Sequence, residues 1–304
     1  PVAVDATNSG GQHLSALMRD SIGGRLTNLF WEGKEDKADM YMDVKKRTDA
    51  KVEAVKDAAN IVQAQYWKEN PITRTMTKRP SMTFFYSATL RSCQEYVVRG
   101  AVEEGYKGTD EYSMWALGVW LAPLMRSAIE DAMPAAAEVM QYLQNVCKRV
   151  PVAENIQWKT PLGGLVINRY ATQVMKTVRI SSMGISRVVA YNTDYDRNNR
   201  PKAASGIAPN FVHSLDSTHL LMTILRFEGR VVPIHDSAAT HAARMDDLNA
   251  CLRSAFVDLY RHNNPLEVIQ EAAIAAGADL SDLQEPVKGD LNINLVLDSP
   301  FFVC

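Results

Sequence analysis

A chain of 304 residues with 46% hydrophobic and 22% charged side chains can bury a large core, in one large domain or two modest ones, and is neither disordered nor fibrous. No run of about 18 apolar residues reads as a membrane-spanning helix, and the start, PVAVDATNSGG, lacks the basic and apolar regions of a secretion signal. The net charge of −2 conceals an imbalance: Lys148 to Lys202 holds ten Lys/Arg against three Asp/Glu, whereas Pro265 to Cys304 holds one Lys against seven Asp/Glu. A basic middle lets one face meet a polyanion, although such runs are as readily solvated surface.

In chain order, Pro1–Val4 predicts a short strand ending at Asp5, followed by a polar turn, Ala6–Gly11. Gln12–Phe30 has helical spacing with a break at Gly23-Gly24. Glu35–Glu69 predicts one long charged helix closed by Asn70-Pro71. Another helical run follows Lys78, and Asp110–Arg149 predicts helices interrupted at Pro123 and Pro134. Leu162–Ala190 is rich in Val, Ile, Thr and Gly and predicts strands, with Tyr191–Gly206 as a long loop or hairpin tip. Pro209–Phe227 is helical, Arg230–Thr240 a short hairpin and Arg244–Ala276 helical again. No repeat or low-complexity segment interrupts this order. The class is α+β, with many helices and a small antiparallel sheet. Cys93, Cys147, Cys251 and Cys304 are widely spaced, which fits free thiols in a reducing compartment rather than a zinc site or a disulfide scaffold.

Three clusters carry the chemistry. Asp5 follows the apolar Val2-Ala3-Val4, and Asp236 follows Val231-Val232-Pro233-Ile234-His235. A carboxylate at a strand end is held rigidly, and two on neighbouring strands can bind a pair of Mg²⁺ ions roughly 4 Å apart for in-line phosphoryl transfer. Either Asp alone is equally a turn opener. The second cluster runs from Arg74 to Tyr86. On a helix Arg74 and Lys78 share a face, and Tyr86 lies roughly 12 Å beyond Lys78, so a nucleoside triphosphate along that face would set phosphates at the cations and sugar near the tyrosine. The same pattern also describes a cationic amphipathic helix with Phe84 and Phe85 in the core. Pro80 removes a helical hydrogen bond, which predicts a helix that starts near Arg79 or bends there. The third cluster, Gly206-Ile207-Ala208-Pro209-Asn210-Phe211-Val212-His213-Ser214, places His213 early in a helix, where a structural role is the ordinary one.

These clusters, in this order, resemble the phage T7-type single-subunit RNA polymerases from one end of the chain to the other. Asp5 to His13, DATNSGGQH, resembles the family's first catalytic motif, D-[GA]-[ST]-x-S-G-x-Q-H. TKRPSMTFFY, Thr77 to Tyr86, resembles its second, T-K-[RK]-x-x-M-T-x-x-Y. Ile234-His235-Asp236-Ser237 resembles its third, GIAPNFVHS is nearly identical to a family segment, and Asp298-Ser299-Pro300-Phe301-Phe302 is similar to its aromatic C-terminal foot. The resemblance implies a right-hand-like polymerase fold: palm over 1–30 and 206–304, helical fingers over 31–160, and over 161–205 strands with a promoter-reading hairpin. Asp5 and Asp236, with the Ala6 carbonyl, would hold two Mg²⁺. Lys78 and Arg74 would contact the incoming triphosphate, Lys78 donating a proton to the leaving pyrophosphate. Tyr86 and His213 would sense the ribose 2′-hydroxyl. Within Val178–Lys202, Arg179, Arg187, Arg197 and Arg200 would contact DNA phosphates or bases. The partners implied are a DNA template, the RNA product and ribonucleoside triphosphates, with no membrane.

Two departures matter. The family usually has Gly where this chain has Ser87. The N-terminal region and thumb of such polymerases have no counterpart here, which implies one piece of a larger enzyme, either a split-polymerase subunit or an excised or processed fragment, with a second polypeptide expected to supply those parts. The form of the Thr77–Tyr86 motif is more similar to phage than organellar enzymes, which implies the cytoplasm of an infected bacterial host. A related DNA polymerase is the nearest rival, but those carry Glu where this chain has Gly10, and follow the third motif's His-Asp with Glu where this chain has Ser237. A His-Asp metal phosphohydrolase using His213, His235-Asp236 and Asp246 needs its His-Asp pair on a helix, and VVPIHDS reads as strand and turn. A catalytically dead nucleic-acid-binding subunit would not need intact Asp5, Lys78, Tyr86 and Asp236.

Overall fold

The computed structural model describes residues 1–33 and 37–303. Strand β1 (Val2–Asp5) leads into α1 (Ser9–Met18) and α2 (Ser21–Leu26). Each helix starts on a side chain that accepts a first-turn amide, Asn8 from Gly11 and Asp20 from Ile22, because those N–H groups have no partner within the helix. The break expected at Gly23-Gly24 falls instead at Arg19, whose left-handed backbone (φ 54°) ends α1. Both glycines lie inside α2.

The single helix expected over Glu35–Glu69 is two, α3 (Met40–Glu53) and α4 (Ile61–Glu69); Glu35 itself lies outside the described residues. Between them Asp57 accepts from the Ala59 amide and from Asn60 Nδ2, an Asp-centred turn that competes with helix. There follow α5 (Arg74–Phe84), α6 (Leu90–Glu103), α7 (Met114–Ala132) and α8 (Pro134–Arg149). Pro134 opens α8 as expected. Pro123 does not interrupt α7, and Pro80 does not delay α5. A proline sacrifices one backbone bond, but α7 buries Leu117, Leu121, Met125 and Ala128 on one face, and that burial holds the helix through the defect.

Strands β2 (Ile156–Lys159) and β3 (Leu165–Asn168) form one hairpin, and β4 (Ala171–Ser182) and β5 (Ile185–Asn198) a much longer one. Its tip is Met183-Gly184, both at positive φ (52° and 78°), as a two-residue turn that matches strand twist requires. The loop expected at Tyr191–Gly206 is therefore strand as far as Asn198, after which α9 (Arg200–Arg226) begins under an Asn199 cap. The ribbon is exposed along most of its length, so it carries no buried-face alternation to read.

Strands β6 (Val232–Ile234) and β7 (Ser237–Thr240) form the predicted hairpin. The final helical run is two helices, α10 (Met245–Arg261) and α11 (Pro265–Ala275), parted at His262–Asn264. β1 pairs antiparallel with β7 and β7 with β6, in the order β1–β7–β6. Around this sheet α1 packs on α8 and α9, and α9 on α10, while α3, α5, α6 and α7 pack together. Residues near the C-terminus return to the sheet. Val303 bridges Ala6, Phe301 accepts from Thr7 Oγ1, and Phe302 is buried against Phe256 and His219. Cys93, Cys147 and Cys251 are free, and burial pushes the thiols of Cys93 and Cys147 up to about 11.

Tyr86 lies just beyond α5, not on it. The Ser87 amide donates to Phe84 and the Ala88 amide to Thr83, the paired bonds of a helix end that needs a left-handed residue, usually Gly. That residue is Ser87 at φ 58°, and its buried hydroxyl finds no partner among the described residues. Ser87→Gly should raise stability by about 1 kcal/mol, since the relieved left-handed strain and unpaired hydroxyl outweigh the added entropy of Gly in the unfolded chain. Chemical denaturation would show the gain; a lower midpoint would contradict the strain.

Candidate active site

The register of two strands decides the centre of the site. Asp5 is the last residue of β1 and lies opposite Ser237, the first residue of β7, and Asp236 occupies the turn just before it. The Ala6 amide donates to the Asp236 carbonyl at 3.3 Å, and Ser237 Oγ donates to the Val4 carbonyl at 2.9 Å, so the two turns are locked to each other. His235 makes the β6–β7 turn at φ 55°. Partial loss of hydration, and then the facing Asp5 charge, raise the Asp236 pKa. Holding two like charges together by backbone makes it costly to ionise both.

Both carboxylates open into a cleft of about 410 Å³ that is also lined by Ala6, Lys78, Arg74 and Tyr86. The structure thus brings together the first two sequence clusters and the third-motif hairpin. Lys78 is exposed and makes no ion pair among the described residues. Arg74 is different: its Nε lies 2.6 Å from Asp39 Oδ2 and its guanidinium covers the Tyr41 ring at 5.1 Å. Asp39 and Tyr41 line the cleft too, and neither carried a local signal in the sequence. His213 stacks on Tyr86 with ring centroids 4.7 Å apart, which draws the third cluster in. A Cβ on Gly10 would fall 2.8 Å from Phe85 Cβ and 3.4 Å from Tyr86 Cζ. A residue larger than Gly at position 10 would therefore displace these neighbours.

Behind the cleft lies a buried polar network. Ser9 Oγ donates to Asp216 Oδ1 at 2.6 Å, and His13 Nε2 lies 3.6 Å from the same oxygen. His13 Nδ1 meets the Tyr260 hydroxyl at 2.6 Å. Burial alone would raise the Asp216 pKa, but hydrogen bonds from His13 and Ser9 hold it below the usual carboxylate value. His219, with Nε2 on the Leu252 carbonyl at 2.8 Å, is pushed down to about 4 chiefly by burial and stays neutral. Gln12 donates from Nε2 to both Thr27 and Phe302 carbonyls, tying α1 to the C-terminal segment. Of these residues Gln12 and His13 lie inside the first motif, whereas Asp216 had no signal beyond following His213 by three.

The arginines assigned to nucleic acid separate. Arg179, Arg187 and Arg197 lie on the exposed β4–β5 ribbon, Arg179 opposite Val188 and Arg187 opposite Ile180. Arg200 is not on the ribbon. It is the first residue of α9, and its guanidinium donates to the Val150 carbonyl at 2.9 and 3.3 Å. For the phosphohydrolase reading, His235-Asp236 is a turn between strands. No group of three His, Cys, Asp or Glu able to hold a metal occurs among the described residues.

An antiparallel strand pair presenting two carboxylates to a cleft lined by Lys78, Arg74 and Tyr86 suits nucleotidyl-transfer chemistry. Comparison with known proteins gives the same class: a family model described as DNA-dependent RNA polymerase matches residues 1–277. The chain belongs to that family. It is 33% identical over 311 residues to a DNA-directed RNA polymerase of Pseudomonas phage phiKMV, covering 100% of this chain and 37% of the relative. It is 31% identical over 312 residues to DNA-directed RNA polymerase 2, chloroplastic/mitochondrial, of Arabidopsis thaliana, covering 99% and 30%. The chain therefore spans about a third of the length of these relatives.

The raised pKa of Asp236 has a consequence for stability. Its folded pKa lies above the unfolded value, so the folded chain keeps this proton longer, and stability falls as pH rises through the carboxylate range toward the raised pKa. Asp236→Asn should remove that dependence and, in EDTA at neutral pH, raise the melting temperature by no more than about 2 °C, the partly hydrated site limiting the gain. Melting curves at several pH values test this; a clear loss of stability would contradict the repulsion.

Proposed function

We propose that this chain is the catalytic portion of a single-subunit DNA-directed RNA polymerase, adding ribonucleotides to an RNA 3′ end by two-metal nucleotidyl transfer. The observation that carries the reading is the forced proximity of Asp5 and Asp236 at the mouth of a cleft bearing Lys78, Arg74 and Tyr86. The hard anionic oxygens of paired carboxylates suit Mg²⁺, which takes one or two carboxylates and completes its shell with water and substrate phosphates. Asp5, Asp236 and the Ala6 carbonyl would hold the pair. When bound, the metals supply Lewis-acid activation of the 3′-hydroxyl and neutralise charge on the departing pyrophosphate.

The remaining roles fall to the chain's own groups. Unpaired Lys78 meets the triphosphate and can protonate the leaving pyrophosphate oxygen as the bond from the α-phosphorus breaks. Arg74 reaches the same phosphates by exchanging or sharing its Asp39 partner. Tyr86, backed by His213, contacts the sugar. The close packing at Gly10 leaves no place for the Glu of DNA polymerases and supports ribonucleotide chemistry. In this reading the β1–β7–β6 sheet with its flanking helices is the palm, α3 to α7 belong to the fingers, and the β4–β5 ribbon, through Arg179, Arg187 and Arg197, contacts promoter DNA. The phage relative supports a phage protein acting in the host cytoplasm. No helix among the described residues is long and apolar enough to cross a membrane.

Asp5→Asn and Asp236→Asn should each lower Mg²⁺-dependent extension of an RNA primer on single-stranded DNA by roughly 100-fold or more, on the scale of removing a preorganised transition-state contact. Near-parental extension by either variant would sink the assignment of that residue.

We further infer a second polypeptide that supplies the template and product grip found in full-length relatives. The outer edge of β1 pairs with no strand among the described residues, the kind of edge that recruits another chain. Light scattering of the natively purified protein should give a mass above that of this chain alone, and the isolated chain should lack processive synthesis at physiological salt. A monomer making long transcripts unaided would overturn this.

A further inference from the structure

The carboxylate of Asp39 is bonded on both sides. Oδ1 accepts the Tyr41 and Met42 amides at 3.0 and 3.2 Å, so it caps α3, where unpaired N–H groups favour an anion. Oδ2 lies 2.6 Å from Arg74 Nε. One side chain therefore joins the start of α3 to the first residue of α5.

The backbone that carries Asp39 is itself pinned near the catalytic turn. Asn28, buried at φ 61°, grips Ala38 from both directions. Its Oδ1 accepts the Ala38 amide at 2.8 Å, and its Nδ2 donates to the Ala38 carbonyl at 3.1 Å. The Tyr41 hydroxyl donates to the Thr7 carbonyl at 3.4 Å, close in sequence to Asp5. Thr77 Oγ1 donates to the Tyr41 carbonyl at 2.9 Å, a second tie between α3 and α5. Arg74 is thus placed relative to the carboxylate pair by a short series of bonds as well as by its own helix.

The mode of attachment leaves the guanidinium usable. Asp39 takes Nε, and one face of the plane lies over the Tyr41 ring at 5.1 Å. The two terminal nitrogens lie outside that bond, and they form the fork that matches phosphate oxygens. A free Arg side chain would have to be ordered at every binding event. One held by its inner nitrogen has that ordering done in advance.

We propose that Asp39 is a positioning residue for triphosphate binding: it caps α3 with one oxygen and with the other holds Arg74 by Nε, so that the terminal guanidinium nitrogens meet the phosphates of the incoming nucleotide. Asp39 keeps its bond while the phosphates are engaged. This rests on the triphosphate role of Arg74 proposed above. Its own content is that the arginine works only when set from α3.

The test is single-nucleotide addition by the natively purified protein, with kcat and KM for the incoming ribonucleotide measured separately. Asn and Ser cap helices about as well as Asp. The one acceptor oxygen of Asn is taken by the α3 amides, so Asp39→Asn keeps the cap and loses the bond to Arg74. Arg74→Ala should raise KM roughly 30-fold, the scale of hydrogen bonds to a charged group. Asp39→Asn should raise it roughly fivefold, less because the ion pair is half-exposed, with kcat within about twofold of the parent and an unchanged melting temperature. The double variant Asp39→Asn/Arg74→Ala should be no worse than Arg74→Ala alone. If Arg74→Ala raises KM and Asp39→Asn leaves it unchanged, the proposal fails while the Arg74 role stands. A lower KM in Asp39→Asn also overturns it and makes Asp39 a competitor of the triphosphate. Additive losses in the double variant, or a fall in kcat and melting temperature together, reduce Asp39 to scaffolding. An unchanged KM in Arg74→Ala sinks both readings. Should Asp39→Asn fail to fold, Asp39→Ser decides by the same measurements.

Discussion

Electrostatic repulsion between Asp5 and Asp236 is the constraint around which the surrounding structure is arranged. Two carboxylates at one cleft mouth separate unless something prevents it, and side-chain packing alone would let them turn away. Here the restraint is backbone: the β1–β7 register fixes one turn against the other, and Ala6 to Asp236 and Ser237 to Val4 hydrogen bonds close both ends. The cost of that arrangement is carried by buried material on either side. Phe302, Phe256 and His219 fill the space beneath, and α1 and α9 are stitched together by Ser9 and Asp216. A rigid site of this kind spends folding energy so that it need not reorganise when charge develops.

The same logic separates the two cations. Lys78 is exposed and makes no ion pair among the described residues, a compact point charge on a long stem. Arg74 is held by a carboxylate and an aromatic face, which keeps its planar fork in place. The cleft is thus cationic in composition but only partly so in available charge.

What the sequence disclosed depended on how local each feature is. The strand ends at Asp5 and Asp236, the α5 cluster and the His-Asp turn each occupy a few consecutive residues, so pattern and resemblance found them. The pairing of Arg74 with Asp39, the stacking of His213 on Tyr86 and the Ser9–Asp216 bond join residues 35 to 207 positions apart, and no local period encodes such contacts. Helix boundaries failed where a single capping or left-handed residue outweighed propensity, at Arg19 and at Asp57. Pro123 was overread as a break, since it sits in a helix held by packing. The β4–β5 ribbon was misjudged because a strand pair exposed to water lacks the apolar alternation that marks a half-buried strand.

The bridge between Ala6 and Val303 orders events during synthesis. Asp5 is among the first residues of this segment to be made, yet its strand partner arrives more than two hundred residues later and its brace later still, with Thr7 bound to Phe301 across a separation of 294 residues. Contacts so distant in sequence form late, because the intervening chain must be ordered before they repay the entropy of closing it. A nascent chain would therefore display an isolated carboxylate but no assembled pair, and a truncated translation product would be inert rather than erratic. The paired carboxylates meet only after nearly the whole segment has been read.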